Sequence, residues 1–189
     1  MNIVPLTVEH LDEARRVAAE LFPWETEHQA ALAAAVAPGS HQEFLAARGL
    51  ASVRCWIGLR KGIVAGLVCL YSYAEQAHET WLAWFGLRPA MRGRGDGARL
   101  LDWCIACARD EGRRTLRLWT TDEAEYADAM GLYVRRGFVT EDCPPLPGED
   151  WTTFVLSLGL DCKPPASWRE SCGRRGLCGR VEPSVAAAA

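Results

Sequence analysis

A chain of 189 residues is long enough to build one domain with its own core, so neither a structural metal nor a disulfide staple is required. Its 49% hydrophobic and 24% charged residues are an ordinary globular composition, and a net charge of −3 argues against broad nucleic-acid binding. There is no run of about 18 apolar residues to predict a membrane span, and Met1–His10 lacks the layout of a signal peptide. A cytoplasmic chain with neither nucleic acid nor membrane as partner is therefore expected, its eight cysteines reduced.

Residues 8–22 carry apolar groups at 8, 11, 14, 17, 18, 21 and 22, a helical spacing with Thr7 in position to cap it and Pro23 ending it. A second helix is expected over about 25–36, closed by Pro38-Gly39, and a short third over 41–48. The period then changes. Residues 52–59 read as a strand, Arg60-Lys61-Gly62 as a turn, 63–73 as the hairpin partner, and 80–87 as a third central strand. An amphipathic helix follows over 97–110, then a strand over 115–120 and a helix over 123–136. Two last strands begin at 138 and span 151–158. Cys104 and Cys107 form a C-x-x-C inside a helical pattern with no second pair, so they read as small apolar filler rather than a zinc or redox site. The eight tryptophans read chiefly as core filling. From about 161 the periodicity stops, and 161–189 reads as a disordered tail behind a domain of 1–160. This order gives an α+β fold, a mixed and mostly antiparallel sheet flanked by helices.

Between the third central strand and the next helix, Arg92-Gly-Arg-Gly-Asp-Gly-Ala98 places a glycine at every second position. A strand running into a glycine turn and then a helix makes an anion site. First-turn amides lack intrahelical partners, the helix dipole adds partial positive charge, and successive N–H groups can converge on phosphate oxygens. Glycine admits positive φ angles there, and Arg92 and Arg94 can add charge-assisted bonds. A P-loop would need Gly-Lys-Ser/Thr, which is missing. The dinucleotide pattern G-x-G-x-x-G/A is met by Gly93, Gly95 and Ala98, but a charged linker, Arg88–Arg92, separates it from the strand, and the strands before it read as antiparallel.

The stretch Arg92–Gly97 resembles the R/Q-x-x-G-x-G/A signature of the GNAT superfamily of N-acetyltransferases, and Ala129-Met-Gly-Leu-Tyr-Val-Arg-Arg-Gly-Phe138 resembles that family's A-x-x-L-Y-x-x-x-G-F segment. The two motifs stand in the family's order, and the resemblance covers about 1–158. It implies a splayed sheet whose V-shaped gap admits acetyl-CoA as co-substrate. Phe85 and Leu87 would offer main-chain contacts to the pantetheine arm, and Arg92, Gly93, Arg94, Gly95, Asp96, Gly97 and Ala98 would hold the pyrophosphate. It implies direct attack of an amine on the thioester, with Tyr133 donating to the departing thiolate. Its phenol is a weaker acid than a thiol, so a strengthening hydrogen bond worth about 10²-fold or less is expected rather than complete transfer.

The third strand carries no carboxylate of its own. Glu75, Glu79 and Asp122 are candidate bases beside a water chain, each competing with a solvated charge. Where the family often has asparagine, seven residues before the tyrosine, this chain has Tyr126; Asp122 is then the expected helix cap. Phe22-Pro-Trp-Glu25 could line an acceptor pocket, with Glu25 attracting a cationic amine, or could be a packing cluster at a helix end. The expected acceptor is a small-molecule or peptide amine, and a homodimer is the expected assembly if the chain self-associates. The rival functions are a non-catalytic acyl-CoA-binding sensor or partner module and a dinucleotide-binding fold.

Overall fold

In the computed structural model, which describes residues 1–143 and 149–171, the elements follow the chain as β1 (Asn2–Pro5), α1 (Val8–Leu21), α2 (Glu27–Val36), α3 (Gln42–Ala47), β2 (Leu50–Arg60), β3 (Ile63–Tyr73), β4 (Glu79–Leu87), α4 (Asp96–Asp110), β5 (Thr115–Thr121), α5 (Ala127–Arg135), β6 (Val139–Cys143), β7 (Thr153–Gly159) and α6 (Trp168–Ser171). They form the α+β architecture expected: one seven-stranded sheet in the order β1-β2-β3-β4-β5-β7-β6. Every neighbouring pair is antiparallel except β4–β5.

Helices cover both faces. One core cluster joins Val17 and Ala18 of α1 and Leu32 of α2 to Leu67 and Tyr71 of β3. The other joins Leu100, Leu101 and Cys104 of α4 and Tyr133 of α5 to Val68, Leu116 and Leu156 of the sheet. That double cover explains why β3 is buried along almost its whole length rather than on alternate residues.

Two features of β4 position the site. Its ladder with β5 holds only Glu79–Thr115, Thr80–Leu116 and Trp81–Arg117; beyond Trp81 no pair joins the two strands. Its ladder with β3 jumps from Leu67–Gly86 to Cys69–Ala83, so Trp84 and Phe85 stand opposite Val68 alone. This is a β-bulge, which bends the strand and re-aims its side chains. Trp84 adopts φ +47°, a left-handed conformation that costs a bulky residue about 1–3 kcal/mol.

Several expectations are corrected. Cys55 and Cys69 face each other directly in the β2–β3 ladder and are joined by a disulfide, so the cysteines are not all reduced. That adjacency depends on the register. Thr7 occupies the N-cap position of α1 without a side-chain cap bond. Asp122 does not cap α5; its carboxylate accepts from the Thr152 N–H at 2.9 Å. Trp56, Trp81, Trp84 and Trp168 are buried, whereas Trp24, Trp103 and Trp151 are exposed, so core filling accounts for only part of the tryptophans. The chain past 160 does not become featureless at once. Trp168 is buried in the core, Glu141 accepts from its N–H and from the Ser167 hydroxyl, and the Ala166 carbonyl accepts from Arg117. Of the expected tail, 172–189 lie outside the described residues, as do 144–148 of the proline-rich loop.

Candidate active site

The parted strands enclose a cavity of about 630 Å³, within the range of small-molecule sites. Its walls come from both sides of the sheet. Phe22, Ala83, Trp84 and Trp119 belong to the cluster under α1–α3, whereas Leu82, Phe85, Ala129 and Tyr133 belong to the cluster under α4–α5. Two groups approaching from opposite faces of the sheet can therefore meet inside it.

Glu25 lines the cavity from the turn between α1 and α2. His28, itself buried, bonds through Nε2 with the Phe22 carbonyl at 3.3 Å and through Nδ1 with Gln29 at 2.9 Å, which pins that turn. Burial lowers the His28 pKa. The Trp84 Nε1–H donates to Glu25 Oε1 at 2.7 Å, so the strained bulge has a definite result: it delivers an indole donor to a carboxylate across the cavity wall. Burial pushes the Glu25 pKa up; the Trp84 bond opposes that, and the nearby Glu27 charge adds to it. Glu123, Glu125 and Glu149 also line the cavity, and among the described residues no lysine, arginine or histidine does.

Tyr133 lies on α5, packed between the rings of Phe85 at 6.0 Å and Phe138 at 5.7 Å. Burial raises its pKa, so its phenol is a proton-bearing donor at any ordinary pH. Tyr126, in the asparagine position, meets Trp24 edge-on at 6.2 Å across the cavity mouth, and burial raises its pKa as well.

The glycine loop lies at the end of β4. Gly93 and Gly95 both adopt φ +76°, and a Cβ on either would meet nothing within 4 Å, so conformation selects glycine here and the space above stays open. Gly95 is the N-cap of α4, and no side chain among the described residues caps that helix, which leaves its first-turn amides without a capping partner there. Arg92, Gly93 and Arg94 are exposed, and Ala98 is half-buried. A Cβ on Gly97 would make ordinary contacts with Leu132, Leu87 and Phe85, which links the loop to the cavity wall. Arg92 turns its Nε back onto the Leu87 carbonyl at 2.9 Å, so that carbonyl already has a donor. Asp96 departs from expectation most. Its carboxylate is buried and pairs with Arg60, with Arg99 at 3.5 Å and with the Met1 amino group at 3.8 Å. Arg60 holds its pKa below the usual carboxylate value. The side chain therefore anchors the start of α4 to the end of β2, and only its main-chain N–H faces the loop's task.

The candidate bases from sequence fare unequally. Glu79 is engaged by Arg117 through two bonds of 2.8 Å, at the closed end of the gap. Asp122 is held to Thr152, and Glu75 does not line the cavity. Cys104 is buried in the core with its pKa pushed up, the behaviour of apolar filler.

A family model described as the acetyltransferase (GNAT) family matches residues 11–138, well over half of the chain. The chain belongs to this family. Members of the GNAT family are acyltransferases that typically draw on acyl-CoA, and the open cradle at the start of α4, the bulge and the parted strands suit that co-substrate. Among solved structures, a protein described as a GNAT acetyltransferase from Desulfovibrio desulfuricans superposes with a TM-score of 0.66 at 19% identity, covering 84% of this chain and 98% of that one. A GNAT acetyltransferase from Staphylococcus aureus Mu50 gives 0.63 at 16% identity, covering 84% and 98%. An aminoglycoside 6'-acetyltransferase type Ii gives 0.62 at 15% identity, covering 87% and 100%. At such identities the likeness is one of fold. No curated protein matches the sequence significantly. No helix among the described residues is long and apolar enough to cross a membrane.

Proposed function

We propose that this GNAT chain is an N-acetyltransferase that moves the acetyl group of acetyl-CoA to a primary amine by direct attack inside the gap between β4 and β5. The observation that carries this reading is the cavity lined from both faces of the sheet, with Glu25 in its wall and Leu82 to Phe85 of β4, the strand that leads on to the glycine loop, along it. Gly93 to Ala98 hold the pyrophosphate through main-chain amides, with Arg94 and the remaining nitrogens of Arg92 adding charge. The Phe85 main chain, released from regular pairing by the bulge, is available to the pantetheine amides. Holding thioester and amine in one cavity replaces a bimolecular encounter by a positioned one.

Tyr133 then donates a hydrogen bond to the sulfur as negative charge gathers there. Its raised pKa makes full proton release unfavourable, so the bond acts through electrostatics. The same reading has the chain working in the cytoplasm.

The test is incubation of the full chain with acetyl-CoA and a broad amine library, read by acetyl-sized mass gains. Gains on amines are expected. Binding of acetyl-CoA with no gain on any amine would instead favour the acyl-CoA sensor; the mostly antiparallel sheet already sets the dinucleotide-binding fold aside.

A further inference from the structure

Two features of the cavity say more than that an amine enters it. The first is its lining. Phe22, Trp24, Trp84, Phe85, Trp119 and Tyr126 supply aromatic surface, while every ionisable carboxyl side chain that reaches it is a glutamate. Aromatic faces and carboxylates together attract a cation with an apolar body. They offer little to a polyol, which needs many hydrogen-bond partners, and they repel a substrate that carries a carboxylate. The second feature is Thr153. It is fully buried in the cavity wall, and its Oγ1 has no hydrogen-bond partner among the described residues. Leaving a buried hydroxyl unmatched is costly, so this stretch of the wall carries a polar group beside the cavity.

Glu25 is the carboxylate set apart among the four. It bonds Trp84 of the strained bulge, and around it stand Glu27, Glu123, Glu125, Glu149, Tyr126 and His28. None of these is a cation, except that His28 would be one if protonated, and its burial opposes that. Glu27 already has a counter-charge in Arg48. Resting on the acetyl-transfer reading above, we infer that the acceptor is a primary ammonium carried on a small aromatic or similarly apolar body, and that Glu25 receives this ammonium and removes its proton.

The balance of the step is simple. The ammonium gives one proton to Glu25, which returns it to solvent. The nitrogen lone pair attacks the thioester carbon, the C–N bond forms and the C–S bond breaks. The second nitrogen proton is lost as the thiolate gains one, with the Tyr133 hydroxyl bonded to the sulfur. The upward push on Glu25 by burial brings it closer to an ammonium in basicity, which favours this transfer.

The experiment uses the full chain, acetyl-CoA and four probes: 2-phenylethylamine, tryptamine, phenylalanine and kanamycin. The two arylalkylamines are expected to exceed phenylalanine and kanamycin in kcat/KM by on the order of 10²-fold. Glu25→Gln is expected to lose about 10²-fold toward 2-phenylethylamine near neutral pH, with the KM for acetyl-CoA unchanged and partial rescue by Glu25→Asp. The pH profile separates a proton acceptor from a merely structural residue. The native enzyme should rise through the Glu25 pKa and then stay level up to the pKa of the amine. The Gln variant must await the free amine and should gain tenfold per pH unit over that range.

Equal rates for the four probes, or a Gln variant with native rate and profile, would overturn this inference and leave acetyl transfer intact. If acetyl-CoA neither binds nor is consumed with any amine, the acetyltransferase reading fails with it.

Discussion

The two ends of the gap between β4 and β5 treat a glutamate in opposite ways. At the closed end Glu79 meets Arg117, a fully buried guanidinium that also bonds the Ser157 hydroxyl and the Ala166 carbonyl. Both charges are compensated, and the three ladder pairs of β4 and β5 lie here. At the open end Glu25 is desolvated, has an indole N–H rather than a cation for a partner, and faces further carboxylates. A buried charge that is fully paired fastens strands together. A carboxylate desolvated without a cation raises the energy of the empty protein, and is retained when something positive is to arrive. The apex is structure and the mouth is chemistry, although the same residue type serves both.

The largest effect expected from breaking this contrast is at the apex. Glu79→Ala leaves Arg117 buried without its carboxylate, and should cost about 3–5 kcal/mol, or a fall in melting temperature on the order of 10 °C by calorimetry. Next comes the sulfur side of the mouth. Tyr133→Phe should lower kcat by about tenfold to 10²-fold in a chemistry-limited assay while acetyl-CoA binding stays near native. Unchanged turnover would remove its catalytic role.

The smallest effect has the most telling sign. The folded state raises the Glu25 pKa above its ordinary value near 4.5, so it binds that proton more tightly than the unfolded chain does. The ionised carboxylate therefore costs stability, and this cost grows as pH rises from the unfolded value through the folded one. Glu25→Gln should accordingly melt higher than the native protein near pH 8 and no higher near pH 4. Glutamates at the two ends would then shift stability in opposite directions.

Much of the frame is legible in the sequence because it rests on local signals. The helical spacing of 8–22 and 97–110, the Arg60-Lys61-Gly62 turn, and the alternating glycines of 92–98 each follow from a few neighbouring residues. What escapes is set by pairing between distant segments. β1 is four residues with a proline, too short to announce itself, and gains its place only against β2. In Thr115–Thr121 the alternation suggests that Arg117 faces water, but the segment leading to Trp168 meets it there, and Glu79, 38 residues away, with Ser157 and the Ala166 carbonyl, makes its burial tolerable. Trp84 reads as one more apolar residue in a strand; that it lies in a bulge and reaches Glu25 depends on register with β3. Asp96 sits inside the glycine run yet works for the core, since Arg60 lies under it. Glu25 is discernible as a candidate amine partner from the Phe22–Glu25 cluster, whereas its isolation from any cation among the described residues is a property of the folded cavity.

The central claim is that the open end of this gap receives acetyl-CoA, and the melting temperature of the native chain with and without it is the most direct test. A ligand at about 100 times its Kd stabilises the folded state by about 2.7 kcal/mol, which for a chain of this size is a rise of about 5–10 °C. The account predicts that rise. An unchanged melting temperature at millimolar acetyl-CoA would contradict it.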